Sequence, residues 1–327
     1  MQKVGKTLFF ALTALALTSW AQAGAQTLKL RISAENPLPI LDVQMAQKFA
    51  ETLKEELGAN FEYELFHTKA LGDENVHLQM IRTGQIDVYP MGSDGVKLDP
   101  SLAVFDMPFL FKDRASVVRV LDGELESDFR KSLRSKAGLE LLAFGELGFR
   151  QIVNRVRPIK TPADLNGVKL RVPGSETRIL AFRDLGAAPV TLNLGELYLA
   201  LQQGAVDGLE APLATIKNSS FHEVTKFLSV SNHVYTPVTL VMNGRKFDSL
   251  TPQQQAAVKQ AAKKAADFTR DLGAKADATL VAELGKSIQV NEIDYPAFQA
   301  ASRPTWEKIG KIAGKDISEK VIAAGAK

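Results

Sequence analysis

Hydrophobic and polar residues alternate near the start of the chain, and an amphipathic stretch lies between the alternating runs. Residues 27–33 and 61–66 alternate as half-buried strands do. Between them, apolar residues recur three and four positions apart from Asp42 to Leu57, and Gly58 follows as a helix-ending residue. Asp42 is the expected capping residue of this helix. Strands that alternate with helices predict an α/β fold with a largely parallel sheet.

The same alternation continues further along the chain. Residues 71–74 open a helix that ends at Gly84, and Ser175 is placed to cap a helix that stops at Gly186. The other predicted strands are 85–91, 139–144, 151–154, 168–172, 190–192 and 206–210, the other helical segments are 162–165 and 196–203, and loops are expected at 92–95 and 145–148.

The longest helical stretch begins at Thr251-Pro252, a capping residue followed by proline at the first helical position. It runs to Leu284 with Gly273 as its only interruption. A helix of that length measures about 50 Å at ~1.5 Å per residue. Two interpretations stay open: two ordinary helices broken at Gly273, or one helix that braces two lobes. The tail, 317–327, is typical of a helix end.

Residues 1–23 have the pattern of a secretory signal. Lys3 and Lys6 precede an apolar run at 8–17, which is shorter than the roughly 20 residues that a membrane span needs. Cleavage is expected near Ala23, with a rival site at Ala25. The chain has no cysteine, so neither disulfides nor a lipid anchor is expected. These features predict an exported protein of the periplasm.

The charge balance argues against a polyanionic partner. The formal net charge of the whole chain is +3, and it falls to +1 without Lys3 and Lys6. No nucleic-acid partner is therefore expected. An acidic ligand would have to be bound by individual arginines rather than attracted by the net charge of the protein. A mature chain of roughly 300 residues is expected to fold as two lobes rather than as one.

Two arginines offer the most specific chemistry in the sequence. Arg171 ends a strand before a Pro-Gly turn, and open α/β sheets bind ligands at the carboxyl ends of strands. A guanidinium there can grip a carboxylate with two parallel hydrogen bonds. The residues alone leave two interpretations of Arg171 open: a ligand-facing arginine, or a solvent-exposed one paired with a nearby acid. Arg150 stands in a basic run with Arg155 and Arg157, which by itself favours a surface position.

Motifs for catalysis or metal binding are missing from the sequence. It contains no G-x-S-x-G, H-E-x-x-H or G-x-G-x-x-G pattern. Glu74 and His77 form an i, i+3 pair of the kind that di-metal bundles use twice, but no second copy follows. We therefore expect no enzyme activity, no cofactor and no metal site built on side-chain motifs. A Na⁺ or Ca²⁺ held by backbone oxygens in the cleft would leave no motif and stays open. Two aromatic residues, Phe149 and Tyr235, are candidates for a pocket wall, although most aromatic residues at such spacings fill the core.

Three segments together resemble the solute-binding proteins of TRAP (tripartite ATP-independent periplasmic) transporters, of the C4-dicarboxylate-binding type. Residues 165–173 read LNGVKLRVP, 186–190 read GAAPV, and 196–210 read ELYLALQQGAVDGLE. Weaker matches lie at 71–74, 84–87, 105–111 and the helix from 252. The resemblance covers nearly the whole mature chain. It implies two α/β lobes, joined by hinge strands and braced by a long helix, with the ligand in the cleft between them.

The resemblance also implies lobe boundaries and site residues. One lobe would comprise 24–147 plus about 236–275, and the other 148–235 plus about 276–327. Arg171 matches the arginine of the family's K-L-R-V-P motif, which makes a two-pronged salt bridge to the ligand carboxylate, and Arg150 matches a second family arginine. The other positions that match ligand contacts are Glu74, Gly92, Ser93, Asn193 and Leu194.

The chain departs from the family pattern at three of its cleft positions. Many members have asparagine where this chain has Ala211, which removes a side-chain donor. Leu194 and Gly92 replace an aromatic residue and an acid that sialic-acid binders carry. These departures argue against sialic acid and leave a C4-dicarboxylate, hexuronate, aldonate, keto or aromatic acid open.

The function implied by the resemblance is capture of an organic acid. A periplasmic monomer would hold the acid by an arginine–carboxylate salt bridge, close on it and deliver it to TRAP permease subunits. Two alternatives remain: a ligand-binding partner of a membrane sensor, and a hydrolase or isomerase that acts on a small acid.

Overall fold

The computed structural model describes residues 27–325, so the predicted signal sequence and its cleavage site lie outside the described residues. No helix within 27–325 is long and apolar enough to cross a membrane. The strands are β1 Leu28–Ser33, β2 Phe61–Phe66, β3 Val88–Met91, β4 Leu139–Asn154, β5 Lys169–Val172, β6 Ala188–Thr191, β7 Gly208–Pro212, β8 Phe227–Val230, β9 Tyr235–Asn243 and β10 Gln289–Glu292. The α-helices are α1 Leu41–Leu57, α2 Glu74–Thr83, α3 Arg114–Leu121, α4 Leu125–Ala137, α5 Glu176–Asp184, α6 Leu194–Gln203, α7 Leu213–Asn218, α8 Gly244–Asp248, α9 Pro252–Leu284, α10 Tyr295–Ala313 and α11 Lys315–Gly325.

The strands form a mixed sheet in the order β2-β1-β3-β9-β4-β7-β5-β6, and β8 pairs with β4 and β10. Parallel pairs lie toward the two ends, where β1 joins β2 and β3, and β5 joins β6 and β7. The central strands β4 and β9 run antiparallel to each other and to their other neighbours in the order. The α/β class is therefore confirmed, but the largely parallel sheet holds only toward the ends.

Strand β4 crosses the middle of the molecule without a break. Its first part, Leu139–Phe149, pairs with β9, and the rest pairs with β7 and β8. The prediction of two strands separated by a loop at 145–148 was wrong. The glycines of this stretch are absorbed as local irregularities of pairing, and Gly148 takes a φ of +110°, which residues with a side chain rarely adopt.

Helix α9 is a single helix, as the bracing interpretation requires. Thr251 caps it through a reciprocal pair with Gln254. Gly273 lies buried within it and does not break it. A side chain does not fit at this position, because a Cβ would overlap Oε1 of Glu146 on β4. The helix packs against α1, β4 and α7, and so contacts elements from both of the predicted lobes.

The predicted capping residue Ser175 is confirmed, and the predicted capping residue Asp42 is wrong. Asp73 caps α2 and Ser175 caps α5, each by accepting a backbone N–H bond from the first turn. Asp42 does not cap α1, which begins at Leu41. Its carboxylate instead accepts a hydrogen bond from Asn36, because it is buried inside the first turn.

The last two helices contact elements from both predicted lobes. Helix α10 packs against α5 and against the 3₁₀ segment Pro100–Asp106, and α11 packs against α3. Trp306 on α10 donates its indole N–H to the carbonyl oxygen of Pro108 at 2.8 Å. The lobe boundaries at about 275 and 276 stay a prediction.

Candidate functional site

A cleft beside β4 brings together most of the predicted site residues. It encloses about 730 Å³ of empty space, part of it open to solvent. The predicted residues that line it are Glu74, Gly92, Ser93, Arg150, Arg171, Asn193, Leu194 and Ala211. Phe149 and Tyr235 lie outside this lining.

Arg171 lies at the carboxyl end of β5 with its side chain buried against the loop after β6. Its Nε and Nη2 donate to the carbonyl oxygen of Leu192 at 2.8 and 2.7 Å. The residue is 6% exposed, and no ion pair joins it to a carboxylate within residues 27–325. This geometry excludes the solvent-exposed, acid-paired interpretation. Burial, and then the nearby charge of Arg150, lower the pKa of Arg171 to about 10, so it stays charged at neutral pH.

Arg150 is also buried, contrary to the surface position that its basic neighbours favour. Its Nε and Nη2 form a two-pronged pair with the Glu210 carboxylate on β7, with Nη2 2.9 Å from Oε1. Nη2 also donates to the Glu210 carbonyl oxygen at 2.7 Å. Burial lowers the pKa of Arg150, and the negative charge of Glu210 opposes that effect. The pairing of β4 with β7 sets this geometry. Arg150 stands opposite Pro212, so Glu210, two residues before Pro212 on β7, lies on the same face of the sheet as Arg150.

A third arginine, which sequence reasoning missed, completes a buried ionic chain. Arg178 on α5 is fully buried and donates from Nη1 to Glu210 at 2.9 Å and from Nη2 to Asp106 at 2.5 Å. The other Asp106 oxygen accepts from Ser175 and Thr177, each at 2.6 Å. Nothing in the local sequence distinguishes Arg178 from an exposed helix arginine. Its partners lie 32 and 72 residues away along the chain.

Glu210 is the centre of this chain and is fully buried. Burial alone would raise the pKa of its carboxyl, but the charges of Arg150 and Arg178 outweigh that effect and hold it well below its usual range. His233 contacts Oε2 of the same carboxylate at 3.1 Å. Glu210 therefore orients Arg150 with a charge that does not titrate near neutral pH.

Each cleft arginine keeps one nitrogen available. Nη1 of Arg150 and Nη1 of Arg171 make no hydrogen bond with a described residue, and neither is sealed from solvent. Both residues line the cleft and are almost wholly buried elsewhere. These two N–H groups are accordingly the donors that the basic side of the cleft offers to an acid.

The cleft lining also carries four carboxylates, which we call the acidic wall: Glu35, Asp42, Glu74 and Asp94. They come from the loop after β1, the first turns of α1 and α2, and the segment after β3. Sequence reasoning identified only Glu74, because the other three carry no motif.

The acidic wall is held by weak or incomplete contacts. Glu74 pairs with Lys97 at 2.9 Å. Asp94 accepts from the backbone N–H of Gly92 at 2.8 Å and from the Tyr89 hydroxyl at 3.3 Å. Oδ1 of the buried Asp42 has no hydrogen-bond partner within the described residues and is sealed from solvent. The Glu35 carboxylate, which lines the cleft, also makes no hydrogen bond or ion pair with a described residue, but it is not sealed.

Burial and mutual repulsion raise the pKa values of three carboxyl groups of the acidic wall. The pKa of Glu35 rises to about 7, first through burial and then through the charge of Glu74. The pKa of Asp94 also rises to about 7, through burial and then through Glu74 and Glu35. Burial raises the pKa of Asp42 to about 6. Glu35 and Asp94 are therefore only partly ionised at neutral pH.

Phe149 and Tyr235 lie behind the cleft, where β4 and β9 pair. Their rings meet edge to face at 5.2 Å, and the Tyr235 hydroxyl donates to Glu146 at 3.0 Å. Arg114 joins the same carboxylate to Asp277 on α9. This contact group ties the central strands to the long helix and is separate from the cleft lining.

The acidic side chains of the cleft do not converge on one point. No group of three or more His, Asp or Glu residues within 27–325 is placed to hold a metal ion. The cleft is thus a polar groove that is lined both by arginine donors and by carboxylate acceptors spread over four segments.

Comparison with known proteins gives consistent matches over most of the chain. The family model described as "Bacterial extracellular solute-binding protein, family 7" matches residues 38–312. The chain is 33% identical over 300 residues to the 2,3-diketo-L-gulonate-binding periplasmic protein YiaO of Escherichia coli, which covers 90% of this chain and 91% of that protein.

Solved structures extend the similarity to the fold. A TRAP periplasmic solute-binding protein from Roseobacter denitrificans, with bound β-D-glucuronate, aligns with a TM-score of 0.85 and 31% identity, over 91% of this chain and 99% of that one. The sugar acid binding protein DctPAm from Advenella mimigardefordensis, in complex with galactonate, aligns with a TM-score of 0.86 and 28% identity, over 92% and 98% of the two chains.

Proposed function

The chain belongs to family 7 of the bacterial extracellular solute-binding proteins, those of TRAP transporters, and we propose that it captures an organic acid in the cleft for a TRAP permease. Proteins of this family are periplasmic transport components that bind small organic acids. The relatives described above bind a diketo sugar acid, a hexuronate and an aldonate. We extend that chemistry to this chain as an acid with one carboxylate at Arg150 and Arg171.

The free donors of two buried arginines are the observation that supports this proposal most directly. A carboxylate placed between Nη1 of Arg150 and Nη1 of Arg171 would receive a charge-assisted hydrogen bond from each. Leu192 and Glu210 already hold the guanidinium planes, so little side-chain freedom remains to be lost on binding. The low exposure of both residues strengthens the attraction relative to a surface pair.

Closure of two lobes on the ligand is part of the proposal. The lobes would be 24–147 with about 236–275, and 148–235 with about 276–327. Strands β4 and β9 would then act as hinge elements and α9 as the brace. A ligand that contacts both sides of the cleft favours the closed state because it binds that state better.

Binding without turnover is the second part of the proposal. A Ser–His–Glu arrangement does exist: Oγ of Ser231 lies 2.8 Å from Nδ1 of His233, whose Nε2 contacts Glu210. All three side chains are buried, and none lines the cleft. Glu210 is also committed to two arginines. A substrate in the cleft would therefore not reach this serine.

The remaining parts of the proposal concern the exported form of the protein. We propose cleavage near Ala23 and release into the periplasm as a monomer. The large apolar side chains exposed among the described residues stand singly on separate elements, which favours a monomer over a stable dimer. Mass analysis of the secreted protein and light scattering would check both points.

The test is a ligand screen on the mature protein after unfolding and refolding to remove any bound acid. The panel is C4-dicarboxylates, aldonates, hexuronates, 2-keto acids and aromatic acids, read by thermal shift and then by calorimetry. Binding should be lost in Arg171→Ala and kept in Lys169→Ala, a matched change at an exposed position of the same strand. Equal binding by the wild-type protein and Arg171→Ala would overturn the assignment of the carboxylate site.

A further inference from the structure

The two sides of the cleft differ in charge sign as well as in origin. Both arginines, Arg150 and Arg171, come from β4 and β5, whereas the whole acidic wall comes from residues 35–94. If the carboxylate of the ligand binds at the arginines, as proposed above, the rest of the ligand extends toward the acidic wall. What that wall accepts then decides which acids fit.

We propose that the acidic wall selects acids whose far end carries hydroxyl groups and rejects acids whose far end is a second carboxylate. A hydroxyl can donate to a carboxylate that makes no hydrogen bond or ion pair with a described residue, such as that of Glu35. A second carboxylate has no donor to offer and would face like charge, and the juxtaposition of like charges disfavours binding.

The cations near the wall do not reverse this preference. Lys97 is already paired with Glu74, and it also contacts Asn75 at 2.9 Å. Lys69 acts on Glu35 only through its charge, and no salt bridge joins the two. Neither lysine lines the cleft.

The spread of the carboxylates favours several hydroxyl groups over one ammonium group. Glu35, Asp42, Glu74 and Asp94 are carried by four separate segments, and the described residues hold no cluster that converges on a cation. A single ammonium group places three donors at one point. A polyhydroxy chain instead distributes its donors along its length, as these acceptors are distributed.

Protonation of the wall is compatible with this role. Burial and repulsion keep Glu35 and Asp94 partly protonated at neutral pH. A protonated carboxyl can both donate to and accept from a hydroxyl. Glu74 belongs to the acidic wall itself. The other titratable groups near Glu35 and Asp94 are Asp73, Tyr89, Lys69 and Lys97.

The test uses pairs of acids that differ only at the far carbon, CH₂OH in one and COO⁻ in the other. These pairs are galactonate with galactarate, gluconate with glucarate, and erythronate with meso-tartrate, measured by calorimetry at pH 8 on the refolded mature protein. In the pairs that bind, we expect the hydroxy acid to bind at least about tenfold more tightly. The variants Glu35→Gln and Asp94→Asn should each shrink that ratio, and Glu55→Gln, at an exposed position on α1, should not.

The outcomes separate this inference from the proposed function. Arg171-dependent binding of both members of a pair with equal affinity would overturn the inference and leave carboxylate capture standing. The same holds if only dicarboxylates bind, or if 6-amino-6-deoxygluconate binds more tightly than gluconate. Binding that survives Arg171→Ala would overturn the proposed function, and the inference with it. An unchanged ratio in both wall variants would also reject the inference, provided that their melting temperatures show intact folding.

Discussion

The two sides of the cleft hold their charges in opposite ways. On the basic side, the Glu210 carboxylate and the Leu192 carbonyl oxygen fix the guanidinium groups of Arg150 and Arg171. On the acidic wall, the Glu35 carboxylate makes no hydrogen bond or ion pair with a described residue, and its pKa lies near neutrality. One side is rigid and constantly charged, and the other is incompletely satisfied and titratable.

This difference separates anchoring from discrimination. A group that anchors every ligand benefits from fixed geometry, because less conformational freedom is lost when the ligand binds. A group that must tell one ligand from another acts through what it repels as well as what it attracts. In our interpretation, the basic side anchors the ligand and the acidic wall discriminates between ligands. Four changes test that division, from the largest expected effect to the smallest.

Glu210→Gln should break the basic side most severely. It leaves Arg150 and Arg178 buried without their shared negative charge, and such a loss costs about 3–5 kcal/mol. Urea unfolding should show this fall in the free energy of unfolding, and the affinity for all acids should fall with it. Glu55→Gln serves as the exposed control. A variant with wild-type stability would mean that the buried chain does not support the site.

Arg171→Lys should weaken the anchor while keeping its positive charge. The guanidinium directs two donors at Leu192 and still has Nη1 free, whereas an ammonium cannot reproduce that fork. We expect the Kd of a bound hydroxy acid to rise about 10- to 100-fold, with little change in melting temperature. Calorimetry with Lys169→Arg as the matched control would check this. Full affinity in the lysine variant would show that charge alone anchors the acid.

Gly273→Ala should disturb both sides equally, because it acts behind β4. The added methyl group would push against Glu146, which Arg114 and Tyr235 also hold. We expect a loss of about 1–3 kcal/mol in the free energy of unfolding, as for other overpacked sites.

The control for this change is Gly310→Ala on α10, where the nearest atoms lie 3.5 Å from the added carbon. That variant should be neutral or slightly more stable. The ratio of affinities for a hydroxy acid and its dicarboxylate partner should be the same in both glycine variants. A changed ratio in Gly273→Ala would mean that the hinge takes part in discrimination.

The pH dependence of stability should isolate the acidic wall. A carboxyl whose folded pKa is raised destabilises the fold above that pKa, and the cost disappears as pH falls toward its unfolded value. Glu35→Gln removes that cost, so it should raise the melting temperature over wild type more at pH 8 than at pH 5.5, by about 2 °C.

The melting temperature of the variant must be compared with that of the wild type at each pH. Two histidines change the stability with pH in the direction opposite to that of Glu35. Burial lowers the pKa values of His77 and His233, so the folded state loses stability as acid protonates these residues in the unfolded chain. Glu210, with its depressed pKa, contributes constant stability from pH 5 to 8. Equal melting shifts at the two pH values would show that Glu35 ionises normally.

Features governed by neighbours in sequence were predicted best. Ser175 caps α5, and Gly84 ends α2 in a left-handed conformation, because each acts within one helical turn. Gly273 was ambiguous for the opposite reason. Whether glycine breaks a helix depends on what packs against it, and here that is Glu146, more than a hundred residues earlier in the chain.

The sequence by itself determined the α/β class, the family resemblance and the choice of Arg171 as a candidate anchor. Those features follow from local patterning and from the matched segments. Only the tertiary structure decided that Arg150 is buried on Glu210, that Arg178 links Glu210 to Asp106, and that four carboxylates share one wall. The physical reason is that burial and charge pairing depend on distances between residues far apart in the chain. An exposed arginine and a buried one therefore look the same in the sequence, and only the fold distinguishes them.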